Sequence, residues 1–61
     1  MNNTTRNYQQ NSEGRWFYTE TETLNGRTYT NYYMNGTLNS DRDTGFYNSL
    51  TEEEYNQRLS E

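Results

Sequence analysis

The stretch RWFYTETETLNGRTYTNYYM, residues 15–34, decides the fold. It holds two runs rich in aromatic and β-branched residues, 16–24 and 27–34, separated by Asn25 and Gly26. Asn-Gly is the favoured pair for a two-residue type I′ turn, because both central positions need positive φ. The stretch therefore reads as a β-hairpin, and the turn sets its register. On one side of the ribbon Leu24 faces Arg27, Glu22 faces Tyr29, Glu20 faces Asn31, Tyr18 faces Tyr33 and Trp16 faces Asn35. The other side pairs Thr23 with Thr28, Thr21 with Thr30, Thr19 with Tyr32 and Phe17 with Met34. Both sides are apolar at the open end and polar near the turn. The core is expected beside Trp16 and Tyr33, with the turn projecting into water.

Downstream, Asn35-Gly36 repeats the turn signal, so a tight second hairpin with a strand at 37–40 is one reading. Residues 39–43 are dominated by turn formers, however. The favoured reading runs 35–43 as a loop and takes 45–49 as the third strand. Aromatic pairs then recur at Trp16-Phe17, Tyr32-Tyr33 and Phe46-Tyr47. Thr51 and Glu54 form the T-x-x-E capping box that opens a helix, with Leu50 and Tyr55 at the staple positions. Glu52, Glu53 and Glu54 place negative charge at the positive end of the helix dipole. Upstream, residues 1–13 show one aromatic and no periodicity, which reads as a disordered tail. The expected fold is α+β: a small antiparallel β-meander of two clear strands and a third, with one short C-terminal α-helix. Residues 14–61 form this single ββ(β)α mini-domain.

Composition narrows the chemistry. The 61 residues include seven Tyr, two Phe and one Trp, but no Ala, Val, Ile, Lys, Pro, Cys or His. Disulfides, zinc fingers, Fe–S clusters and Cys-His or Ser-His-Asp catalysis all need residues this chain does not have. Five Arg against nine acids give a charge of −4, which argues against a phosphate-binding face, so no nucleic-acid partner is expected. The longest apolar run is Trp16-Phe17-Tyr18, so no membrane span or signal-peptide core is expected either, and a cytoplasmic location follows as the expectation. Residues 39–45 alternate oxygen donors like a calcium loop, but Thr44 and Leu50 stand where that pattern needs Gly and a bidentate Glu. No metal, cofactor or catalytic residue is assigned, and the chain is expected not to be an enzyme. The segment Tyr32-Tyr33-Met34-Asn35-Gly36 resembles the aromatic hairpins of choline- or glucan-binding cell-wall repeats over five residues. With no repeated array, that resemblance brings no function with it.

The aromatics are the core by default, since no aliphatic β-branched residue exists to fill it. One short helix can cover only one side of a two-faced sheet, so part of the aromatic set should remain open as an interface. Phe17, Tyr32, Met34 and Tyr47 are the expected contact residues, the first three on the face the helix is expected to leave bare. So small a core also needs help from a partner surface, most simply a second copy. The expected function is a non-catalytic protein-interaction module, acting as a homodimer or as a small subunit of a larger assembly. The alternative is a small phage-type inhibitor that occludes a host enzyme with an acidic and aromatic surface. The omission of seven residue types would also suit a selected or designed miniprotein.

Overall fold

A computed structural model describes residues 3–61 and shows a four-stranded antiparallel sheet with one C-terminal helix. The strands are β1 (Asn3–Gln10), β2 (Trp16–Leu24), β3 (Arg27–Asn35) and β4 (Tyr47–Leu50), followed by α1 (Glu52–Leu59). Their spatial order is β1-β2-β3-β4, a meander in which each strand pairs with its neighbour in sequence.

The central hairpin has the expected register from Leu24 opposite Arg27 to Phe17 opposite Met34. Asn25 and Gly26 both have positive φ, at 50° and 79°, as the tight turn requires. The third connected strand is the later of the two candidates, pairing Tyr32 with Leu50 and Asn35 with Tyr47. Thr51 caps the helix: its Oγ1 accepts from the Glu54 amide at 3.1 Å, and the Glu54 carboxylate accepts from the Thr51 amide at 3.0 Å.

The expected tail is corrected by β1. Asn3–Gln10 pairs with β2 along its whole length, from Asn3 opposite Thr23 to Gln10 opposite Trp16; Met1 and Asn2 lie outside the described residues. The reason is in the turn that follows. The Asn11 side chain accepts from the amides of Glu13 (3.1 Å) and Arg15 (3.0 Å), while Gly14 takes a φ of +90°. That wraps residues 11–15 into a closed connection that feeds β1 back along β2. Cross-strand pairs then hold a strand of low propensity: Arg6 meets Glu20 at 3.0 Å, and the Tyr8 and Tyr18 rings lie 5.2 Å apart.

The helix packs against β3 and β4, on the face of Phe17. Phe17 is fully buried, and its ring meets that of Tyr55 edge-on at 5.6 Å; Tyr32 lies 5.1 Å from Tyr55 on its other side. The opposite face carries a second aromatic group centred on Tyr18. Its ring is 4.7 Å from both Tyr33 and Tyr47. Residues 36–46 fold over this group from the far side of the sheet, placing the Arg42 guanidinium 4.8 Å above the Tyr8 ring. One buried residue anchors that connection. The Asn35 side chain donates to the Thr44 carbonyl at 2.7 Å and accepts from the Thr37 amide at 2.8 Å. Asn39 then seats on Gly14, its amide donating to the Gly14 carbonyl, where any β-carbon would collide with its side chain. Two small cores thus lie back to back at one end of the sheet, in a molecule whose long dimension is 37 Å.

Candidate protein interface

Three of the four residues expected at an interface belong to the helix-covered core. Phe17 has no exposed surface, and Tyr32 and Met34 are half-buried beside it. This corrects the expectation that the helix would leave their face bare. The physical reason is the β4 register. Leu50 lies opposite Tyr32 and therefore on the Phe17 face, and the helix starts one residue later, so it falls on that side. Tyr47 sits on the other face, half-buried, with its hydroxyl donating to the Arg42 carbonyl. It holds the 36–46 connection in place and presents only part of its ring outward.

What remains open lies elsewhere. Phe46 is 85% exposed although its carbonyl is fixed by the Gly36 amide at 2.7 Å. Among the described residues, Tyr29 and Leu38 are the other large hydrophobic side chains with much exposed surface. Phe46 carries no sequence signal that separates it from Tyr47; only the strand boundary decides which of the pair turns outward. A depression of about 270 Å³ lies over Phe17 and Met34, rimmed by Arg15, Arg58, Glu13 and Glu61. The Arg15 guanidinium there already donates to the Asn35 carbonyl at 2.8 Å.

The largest opening is in the backbone. In a two-residue hairpin the residues flanking the turn exchange hydrogen bonds, and the direction alternates from there along each strand. Leu24, Glu22, Glu20 and Tyr18 therefore bond toward β3, and Thr23, Thr21, Thr19 and Phe17 toward β1. Their partners Asn3, Thr5, Asn7 and Gln9 point inward. Two bonds agree with this parity: the Asn11 amide donates back to the Arg15 carbonyl, and the Gly36 amide donates outward to Phe46. Thr4, Arg6, Tyr8 and Gln10 are left directing N–H and C=O away from the sheet. Among the described residues no strand lies outside β1. At the other edge, β4 covers β3 only from Tyr32 to Asn35.

Electrostatics fix the side chains of this edge. The Arg6 guanidinium donates to Glu20 and lies 5.1 Å from the Tyr18 ring centre; its hydrogen bond to Glu20 holds its proton more firmly than usual. Burial pushes the Tyr18 and Tyr55 hydroxyls up from their ordinary pKa. The Tyr55 hydroxyl is buried without a hydrogen-bond partner among the described residues. The same residues hold no cluster of three or more His, Cys, Asp or Glu able to bind a metal, and no helix long and apolar enough to cross a membrane. Comparison with protein-family models, with curated proteins and with solved structures returned no match.

Proposed function

We propose that this chain is a non-catalytic protein-interaction module that binds by adding a strand to the outer edge of β1. The observation that carries this reading is the edge itself: an eight-residue strand with four residues directing their backbone groups outward. Natural sheets guard such edges with Pro, Lys, bulges or covering segments. This chain contains no Pro or Lys, and β1 pairs without a break in register from Asn3 to Gln10. Strand addition gives affinity through main-chain hydrogen bonds and specificity through alternate side chains.

The test uses Thr4→Pro, which removes an outward N–H while leaving the inward bonds of Asn3 and Thr5 to β2. Immobilised wild-type chain should retain a stoichiometric protein partner, itself or another chain, that the Thr4→Pro chain releases. Equal retention by both would contradict recognition through the edge.

A further inference from the structure

We infer that the strand added to β1 is the β1 of a second copy, paired antiparallel about a two-fold axis through Asn7. This rests on the edge-recognition reading above and names its occupant. The inference comes from the sequence of the edge, Asn3-Thr4-Thr5-Arg6-Asn7-Tyr8-Gln9-Gln10-Asn11, read with the hydrogen-bond parity of the strand. An antiparallel ladder needs outward-directed residues opposite outward-directed residues. That restricts self-pairing to axes passing through a residue. With the axis at Asn7, Arg6 lies opposite the partner's Tyr8, Thr5 opposite the partner's Gln9, and Thr4 opposite the partner's Gln10. Every residue from Thr4 to Gln10 is then paired, and each position meets a polar residue of compatible size.

Charge selects the same axis. Arg6 is the one charged residue of β1. Pairing about Arg6 itself would set two guanidinium groups directly opposite, which is unfavourable. Pairing about Tyr8 would keep only residues 6–10 in the ladder. About Asn7, each Arg6 lies instead opposite Tyr8 of the other copy, so the two guanidinium groups are not directly opposed and each stays paired with its own Glu20. Directly opposed residues share a sheet face, so the tyrosine group of Tyr8, Tyr18, Tyr33 and Tyr47 would continue across the axis into its symmetry mate. The other edges fit less well. β4 has four residues, and the free part of β3 offers outward backbone only at Thr28 and Thr30. The β1 contact is isologous and closes on itself, giving a dimer of eight continuous strands and no open-ended fibre.

The experiment is light scattering on wild type, Asn7→Lys, Asn7→Glu and an equimolar mixture of the two variants. Asn7 is exposed and lies opposite its own symmetry mate, so each variant alone sets like charges across the axis while leaving the pairing with β2 intact. Wild type should show twice the chain mass of 7.4 kDa, each variant the single mass, and the mixture the doubled mass again. Restoration in the mixture also shows that the variants fold. A wild-type monomer at every concentration would overturn the second copy as occupant and leave edge recognition of another chain standing. Variants that remain dimeric would place self-association away from β1, and a mixture that stays monomeric would overturn the Asn7 axis.

Discussion

Phe17 and Tyr18 are adjacent in sequence and buried on opposite faces of one strand; six residues further along, Thr23 and Leu24 have neither face fully covered. The two ends of the same sheet therefore do different work. At the packed end the helix closes one face and the 36–46 connection closes the other. At the open end, residues 25–31 are all exposed. There the helix-side face continues as Thr19, Thr21, Thr23, Thr28 and Thr30, with no charge among them, while Glu20, Glu22 and Arg27 occupy the opposite face. The difference shows how a chain with few apolar residues makes a fold. It gathers its rings at one end of a long ribbon and lets backbone ladders and cross-strand pairs extend the remainder.

Substitutions at the two ends should differ widely. Phe17→Ala empties the centre of the helix-side core and should cost about 3–5 kcal/mol of unfolding free energy by urea titration. Tyr29→Ala at the open end should cost about 0.5 kcal/mol or less. Similar losses at the two sites would erase the distinction between the ends. Asn35→Ala comes next, since it leaves the Thr37 amide and the Thr44 carbonyl without their partner. An unpaired buried group costs about 1–3 kcal/mol, and the Tyr47 and Arg42 resonances should shift as the connection loosens. Unchanged resonances would show that Asn35 does not anchor the connection.

Thr51→Ala should cost about 1 kcal/mol, within the usual range for a lost N-cap. The Thr51 contacts hold the Glu54 carboxylate below its ordinary pKa of 4.5. That contribution is present above pH 4.5 and fades as the pH falls below it; the Thr51 amide, its larger source, survives in the alanine variant, so the acid limb of the stability profile should flatten only in part. The smallest effect is expected at Tyr55→Phe, which removes a buried hydroxyl that has no partner among the described residues. It should leave the unfolding midpoint unchanged or slightly raised. Tyr18 and Tyr55 hold their protons to higher pH in the folded chain than their ordinary value of 10.0. Their contribution is complete below pH 10 and is lost as the pH rises through the raised values, so the midpoint should drop there, less steeply in Tyr55→Phe. A Tyr55→Phe chain that unfolds well below the wild-type midpoint would mean the hydroxyl is bonded.

The parts of this fold that were legible in the sequence are those set by short-range geometry. Asn25-Gly26 carries its own turn chemistry, and Thr51 with Glu54 carries its own cap, so the central register and the helix start follow without tertiary information. β1 was not legible by composition because its residues are weak strand formers. Its signal is the closed turn made by Asn11 and Gly14, whose hydrogen bonds form only in the folded chain. The candidate interface depended on which face the helix covers. That is settled by a single register, Leu50 opposite Tyr32, which no local pattern specifies. Phe17, Tyr32 and Met34 were grouped correctly on one face, but the helix lies on that face.

The most direct test of the two-ended account is residue-resolved amide hydrogen exchange along β2 and β3. The slowest exchange is expected at Phe17, Tyr18 and Tyr33, with protection falling along β2 toward Thr23 and, among the β3 amides that bond to β2, from Tyr33 toward Tyr29 and Arg27. Protection that is uniform along the two strands, or greatest beside Asn25 and Gly26, would contradict it.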